Sequence, residues 1–200
     1  MKTVIIKYSA GNIRSVIFAL ERLGVQATVT DNKEELLAAD KVIFPGVGEA
    51  SSAMAYLRQH KLDELIVSLK QPVLGICLGM QLLCDFSEEG NTACLGIFKK
   101  RVKRFHPIEG KENPEQKIPQ IGWNNVYELK SELFKDIPES TFMYFVHGYY
   151  VEKGEDTIAV TNYIQEYSSA LRKNNFFAAQ FHPEKSGTAG QKLLENFLKM

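Results

Sequence analysis

Cys77 lies in Leu74-Gly75-Ile76-Cys77-Leu78-Gly79-Met80-Gln81, where the apolar run Pro72 to Ile76 ends in a cysteine with a glycine two residues to either side. Leu78, Leu82 and Leu83 follow at helical spacing. The segment reads as strand, sharp turn and helix, the cysteine version of a nucleophile elbow. Such a turn crowds its neighbours, which gives Gly75 and Gly79 a steric reason to be small. The sulfur would stand at a helix N-terminus, where backbone N–H groups favour negative charge. That arrangement suits attack on an acyl carbon. Cysteine is also among the most buried residue types, so a core cysteine is the alternative.

A cysteine nucleophile needs a base, and the base needs an orienting partner. Phe176 to Phe181 is an apolar run that leads into His182-Pro183-Glu184. Two residues apart in extended chain, His182 and Glu184 point the same way, so Glu184 can hold the imidazole while its other nitrogen faces Cys77. A surface ion pair at a strand end is the competing reading. Oxyanion donors are supplied by Pro45-Gly46-Val47-Gly48, whose glycines let backbone N–H groups turn inward, and by the amide of Leu78.

Other candidates carry weaker signals. Gly11-Asn12 could bind an anion at a helix N-terminus, or Asn12 could simply cap the helix. Lys99 to Arg104 reads as a solvated strand face rather than a site for a phosphorylated substrate or acidic partner. Trp123 is either a core anchor or an interface residue. His60 reads as surface, His106 as loop, and His147, ending an apolar strand, as a possible pocket residue. No spacing suggests a metal site.

These residues require a scaffold. Thr3 to Ile6, Gln26 to Thr30, Lys41 to Phe44 and Pro72 to Ile76 read as strands. Ser15 to Leu23, Lys33 to Ala39 and a two-piece segment over 50–70, broken near His60-Lys61, read as helices between them. The βαβα order predicts a parallel sheet covered on both faces, with sites beyond the C-terminal strand ends. From about Gly96 shorter strands are expected over 96–105, 121–129, 142–151, 157–163, 167–173 and 176–181. A last helix is expected over Ala189 to Leu198, and an exposed loop over 107–117. Two hundred residues suit one domain over 1–200.

Lys plus Arg and Asp plus Glu each number 24, which gives no global pull toward nucleic acid or anionic membrane. The three cysteines and a short, charged N-terminus point to reduced thiols and a cytoplasmic setting. No run approaches the ~18 apolar residues of a membrane span.

Together, Gly75 to Gln81 and Phe181-His182-Pro183-Glu184 resemble the nucleophile and second signatures of class I, triad-type glutamine amidotransferases. Gly11-Asn12-Ile13-Arg14-Ser15-Val16, Pro119 to Asn124 and Tyr144 to Tyr150 are similar to the branch that serves as glutaminase subunits of imidazole glycerol phosphate synthases. The resemblance covers essentially the whole chain. It implies an α/β fold with a central, mostly parallel sheet flanked by helices and an added antiparallel portion in the second half. It implies that Cys77 attacks the carboxamide of glutamine, that His182 shuttles the proton and that Glu184 orients His182. Gly46, Val47 and Leu78 would form the oxyanion hole, and Gln81 with the Gly148-Tyr149 backbone would hold the amino-acid end. Asn12 and Trp123 would face the partner, a cyclase subunit built as a (β/α)8 barrel, in a heterodimer. Ammonia delivered there would yield imidazole glycerol phosphate and an aminoimidazole carboxamide ribotide in histidine biosynthesis, with no cofactor in this subunit. The chain departs from that branch at Gly148, often serine, and at Gln120, often histidine.

Three alternatives remain beside this reading: a glutaminase subunit for another amidotransferase client, a catalytically idle assembly subunit, and a stand-alone γ-glutamyl hydrolase. If the Pro45–Gly48 peptide flips to open the oxyanion hole, alanine at Gly46 or Gly48 is expected to alter regulation before folding.

Overall fold

The computed structural model describes residues 1–8, 13–107 and 117–200. Asn12 and most of the expected loop over 107–117 lie outside the described residues. The first half alternates as expected: β1 (Thr3–Ile6), α1 (Ile13–Arg22), β2 (Ala27–Thr30), α2 (Lys33–Leu37), β3 (Lys41–Gly46), α3 (Ala50–Gln59), α4 (Leu62–Ser68), β4 (Val73–Cys77) and the short α5 (Leu78–Leu82). The break between α3 and α4 falls at His60-Lys61, where Lys61 adopts φ 54°.

β1 pairs in parallel with β2 and β3, and β3 with β4. Successive residues of these strands are buried on opposite faces. Val4 and Ile6 join one cluster with Val42, Phe44 and the α3–α4 side chains Met54, Leu57 and Ile66. Ile5 joins a second with Ile43, Leu74, Leu20 of α1 and Leu193 and Phe197 near the C-terminus. Two-sided burial is why the strands read as unbroken apolar runs rather than alternating ones.

The second half contributes β5 (Phe86–Ser87), β6 (Thr92–Ala93), β7 (Arg101–Arg104), β8 (Gln120–Val126), β9 (Thr141–His147), β10 (Tyr149–Val151), β11 (Thr157–Asn162), β12 (Glu166–Lys173), β13 (Phe176–Ala179) and α6 (Gly187–Leu198). Ten strands run in the order β2-β1-β3-β4-β13-β12-β10-β7-β5-β6, with β11 on β12; β8 and β9 form a separate antiparallel pair. β13, late in sequence, lies parallel beside β4, and the strands beyond it are mostly antiparallel.

Three expectations change in detail. The strand expected over 96–105 shortens to Arg101–Arg104, because residues 96–98 instead donate backbone bonds to Leu83 and Cys84. The strand expected over 142–151 divides at Gly148 into β9 and β10, which join different sheets. The two-residue β5 and β6 were not anticipated, being too short to show a period.

The basic run is a solvated strand face. Val102 points inward, Lys103 pairs with Glu152 at 2.7 Å and Lys99 with Asp85 at 3.2 Å. Arg101 lies 4.3 Å over the Phe86 ring. Among the described residues, no helix is long and apolar enough to cross a membrane.

Candidate active site

β3, β4 and β13 are adjacent, so the segments that leave their C-terminal ends meet in one place. Gly46 stands opposite Cys77 in register, and β13 runs out toward His182 beside the same strand end. Cys77 ends β4 with φ 53° and ψ −109°, a conformation outside the comfortable regions for a residue with a Cβ. Such a residue costs of order 1–3 kcal/mol and persists only where packing over-determines it. The packing here is tight. A Cβ on Gly79 would come within 1.8 Å of the Phe44 carbonyl oxygen, and one on Gly75 within 2.7 Å of Leu83 Cδ1. Both glycines are therefore needed to seat α5 against β3 and β4.

His182 Nδ1 lies 2.8 Å from Glu184 Oε1, with both side chains almost wholly buried. The surface ion pair is thereby excluded. His182 is fixed from several directions. Its amide donates to Tyr144 O at 2.9 Å, and its carbonyl accepts from Ser186 Oγ at 2.6 Å. Ser186 Oγ also accepts from the Tyr144 amide at 3.0 Å. Burial opposes charging of the imidazole, but hydrogen bonds to Cys77 and Glu184 and the charges of both outweigh it, and the pKa is pushed up to about 10. His182 therefore interacts with Cys77 and Glu184 at once, the base and its orienting group in one line of chemistry.

Cys77, Leu78, Val47, Gly48, Gln81 and His182 line one cavity of about 210 Å³, together with the Val146–Tyr149 backbone turn. That is below the ~300 Å³ at which drug-sized pockets begin and suits a single amino acid. Gly46 sits just behind this lining. A Cβ there would meet the Tyr8 hydroxyl at 2.1 Å and Leu78 Cβ at 2.9 Å, whereas one on Gly48 would meet nothing within 4 Å. The expectation that alanine at either glycine spares folding is thus corrected for Gly46, where space is lacking. Gly48 is constrained only by its φ of 109°.

Gln81 Nε2 donates to Tyr149 O at 3.3 Å and to Gln180 Oε1 at 3.0 Å, and Gln180 Nε2 lies 3.7 Å from Cys77 Sγ. The Cys77 thiol itself faces Val146 O at 3.7 Å. His147, at the same turn, is buried. Burial, and further the nearby His182, lower its pKa to about 4 against the opposing hydrogen bond with the Tyr149 carbonyl.

Several contributors escaped sequence reasoning. Glu89 lines the cavity and accepts from the Ala50 amide at 2.9 Å. Burial raises its pKa, the Ala50 amide partly offsets this, and Glu49 adds to it. No motif marked it within Ser87-Glu88-Glu89-Gly90, where one acidic residue looks like the next. Lys185, also on the cavity rim, was hidden beside Glu184. Tyr8 donates to Pro45 O at 2.7 Å from beneath the oxyanion segment. It ended a strand pattern and had only the cue of a polar tip on an apolar body.

Trp123 is 55% exposed, stacked edge-on against Tyr144 at 5.8 Å, so it is not a core anchor. Ile121 and Phe142 are exposed on the same face of the β8–β9 pair. His60 lies at the surface against Tyr56, as expected. Among the described residues no group of three or more His, Cys, Asp or Glu side chains is placed to hold a metal ion.

Comparison with known proteins supports the geometric reading. The chain is 58% identical, over the full length of both chains, to the imidazole glycerol phosphate synthase subunit HisH of Bacteroides fragilis. It is 45% identical, again over the full length of both, to the corresponding subunit of Yersinia pseudotuberculosis. Among solved structures, a putative GMP synthase subunit from Thermoplasma acidophilum superposes with TM-score 0.74 at 19% identity, covering 100% of this chain and 93% of that one. A structure described as a glutamine amidotransferase gives 0.73 at 20% identity, covering 98% and 97%. These two likenesses concern the fold alone. The family model described as "Glutamine amidotransferase class-I" matches residues 4–200, and the chain belongs to that family.

Proposed function

We propose that Cys77, His182 and Glu184 are the catalytic triad of a glutaminase subunit that supplies ammonia to imidazole glycerol phosphate synthesis. The protein is a glutamine amidotransferase acting in histidine biosynthesis. The observation that carries the site assignment is the buried His182–Glu184 pair, 2.8 Å apart, aimed at a cysteine held at positive φ on the wall of an amino-acid-sized cavity.

The Cys77 thiolate adds to the glutamine carboxamide carbon, and charge moves onto the oxygen. The Leu78 amide and the Gly46–Val47 segment supply donors to that oxygen. As the C–N bond breaks, His182 gives its proton to the leaving ammonia. Water, deprotonated by His182, then cleaves the γ-glutamyl thioester and releases glutamate with the thiol restored. Glu184 holds Nδ1 throughout, which keeps Nε2 for Cys77. Gln81 and the Gly148-Tyr149 backbone hold the amino-acid end of glutamine. Glu89 and Lys185, of opposite charge on the cavity rim, complement its ammonium and carboxylate.

The partner is a cyclase subunit with a (β/α)8 barrel, bound as a heterodimer through Asn12 and Trp123. The exposed Ile121, Trp123 and Phe142 support this, since aromatic side chains dominate interface energetics. Residues 1–200 act as one amidotransferase domain, supported by a sheet that draws strands from both halves.

The test is glutamate release from glutamine, with and without the cyclase partner and its nucleotide ligand, in wild type and Cys77→Ala. Strong stimulation by partner plus ligand, abolished in Cys77→Ala, is expected. Equal release in every wild-type condition would overturn the coupling and point to another client or a free-standing glutaminase.

A further inference from the structure

A run of buried polar groups leads away from the glutamine cavity and has no part in the chemistry above. His147 Nδ1 lies 2.7 Å from the Tyr149 carbonyl, which is also the acceptor for Gln81. His147 Nε2 lies 3.2 Å from the Tyr167 hydroxyl, and that hydroxyl lies 2.9 Å from Gln120 Oε1. Gln120, Tyr167 and His147 are all buried. Gln120 and His147 face each other in the β8–β9 register. Tyr167 is clamped between Phe105 and Phe145, with ring centroids 5.6 and 6.3 Å away.

The protons in this run can be counted. A carbonyl only accepts, so His147 Nδ1 must carry a hydrogen. If the ring is neutral, Nε2 is bare and needs a donor, and Tyr167 is the hydroxyl that reaches it. A phenol has one proton. With Gln120 Oε1 facing Tyr167, two acceptors compete for that proton. Thr161 also hydrogen-bonds Tyr167 but offers no relief, because a bond accepted by the phenol oxygen leaves it with the same single proton to give.

Two arrangements remove the conflict. In one, His147 is an imidazolium that donates from both nitrogens. Burial and the neighbouring His182, itself favoured as a cation, disfavour a second positive charge there. In the other, the Gln120 amide is turned by half a revolution about its terminal bond, exchanging Oε1 and Nε2. Each of the three contacts in the run then has one donor and one acceptor.

We propose that Gln120 and Tyr167 are positioning residues for the glutamine site, joined in a one-way chain of hydrogen bonds. Gln120 Nε2–H donates to the Tyr167 oxygen, Tyr167 O–H donates to His147 Nε2, and His147 Nδ1–H donates to the Tyr149 carbonyl. The chain fixes the tautomer of His147 and so pins the backbone turn on which glutamine rests. It rests on the glutaminase reading for its functional consequence but not for its proton order. β8 presents Gln120 to this chain and Ile121 and Trp123 to solvent, so one strand serves both the cavity and the exposed apolar face.

The experiment combines side-chain nitrogen NMR of histidine-labelled full-length protein with glutamine kinetics in the partner complex. Wild-type His147 is expected to show a protonated Nδ1 and a bare, hydrogen-bonded Nε2 at pH 7. Tyr167→Phe removes the donor to Nε2 and is expected to raise KM for glutamine about tenfold while kcat stays within about twofold. Gln120→Met, which cannot donate, repeats that split. Gln120→His, which can, restores a KM near wild type. An Nε2–H tautomer or an imidazolium at pH 7 in wild type overturns the proposal. So does a wild-type KM in both Tyr167→Phe and Gln120→Met, or a loss in kcat alone. Absence of glutamine turnover in wild type would instead overturn the glutaminase reading and leave the tautomer result standing.

Discussion

The two sides of the cavity are held in very different ways. On the base side, His182 is tied through its amide, its carbonyl and its ring to Tyr144, Ser186 and Glu184, the last two buried. On the oxyanion side, Val47 is 39% exposed, Gly48 has open space around its Cα, and among the described residues the side-chain tie to the segment is the bond from Tyr8 to Pro45 O. In the proposed mechanism the proton-transfer groups are thus held in place, and of the oxyanion donors Gly46 and Leu78 are packed into β3 and α5, while the Val47-Gly48 stretch stands on backbone with few restraints. A glutaminase built this way can be adjusted at the oxyanion side without disturbing its triad. That is where a partner would act at least cost, since loosely restrained segments open with the smallest free energies.

The largest effect should come from the rigid side. His182→Ala is expected to lower stimulated glutamate release by about a thousandfold or more, because both proton transfers lose their carrier. A loss under tenfold, measured in the partner complex, would mean that another group serves as base.

The rigid side should also show in stability against pH. His147 is buried neutral, with its pKa depressed in the fold to about 4 from 6.5. The unfolded chain therefore binds this proton first as pH falls. The fold keeps its full stability above about pH 6.5 and loses up to about 3 kcal/mol as pH drops toward 4. Urea midpoints at pH 7 and pH 4.5 should move less in His147→Gln than in wild type; equal movement would refute the assignment.

Next in size are two glycines that separate space from flexibility. Gly46→Ala drives a Cβ against Tyr8 and Leu78. It is expected to cost about 2–3 kcal/mol, seen as a lower unfolding midpoint. Gly48→Ala meets no atoms and pays only for its positive φ, roughly 1–2 kcal/mol of local strain. Its melting temperature should fall by only a few degrees, less than in Gly46→Ala, while the ratio of stimulated to basal rate shifts. If Gly48→Ala unfolds as readily as Gly46→Ala, the oxyanion side is as tightly held as the base side and the contrast fails.

The smallest effect tests the tie itself. Tyr8→Phe removes one hydrogen bond, worth about 1 kcal/mol, and keeps the ring packed on Phe44 at 5.3 Å. Basal glutamate release should rise about fivefold with the stimulated rate unchanged. An unchanged basal rate would show that Tyr8 does not restrain the segment.

Much of this architecture was legible in the chain because its strands are buried on both faces and its helices are periodic. Thr3–Ile6, Lys41–Gly46 and Val73–Cys77 appear within a residue or two of where their apolar runs placed them. The pairing of Cys77 with His182 and Glu184 was legible because both segments follow apolar strands, but the expected extended link is corrected: His182 precedes and Glu184 lies within a 3-10 turn, Pro183–Lys185, beyond the end of β13 at Ala179. What stayed hidden was set by long-range packing. Phe86–Ser87 and Thr92–Ala93 are strands only because a neighbouring edge pairs with them. The division at Gly148 is visible only once β9 and β10 are seen to enter different sheets. Glu89, Tyr8 and Tyr167 are ordinary residues in ordinary context, and become significant through the groups that lie opposite them.

The position of β13 has a consequence for how the enzyme comes into being. Every strand up to β4 can be synthesised and paired before β13 has been made. The site cannot, because β13 must slot between β4 and β12 before His182 reaches Cys77. That contact closes a loop of more than a hundred residues, the slow kind of step in folding. A growing chain therefore carries its cysteine through the synthesis of more than a hundred further residues without the proposed base beside it. With the proposed triad, glutamine hydrolysis begins only after β13 and His182 have been made, and by then the face bearing Trp123 has been made as well.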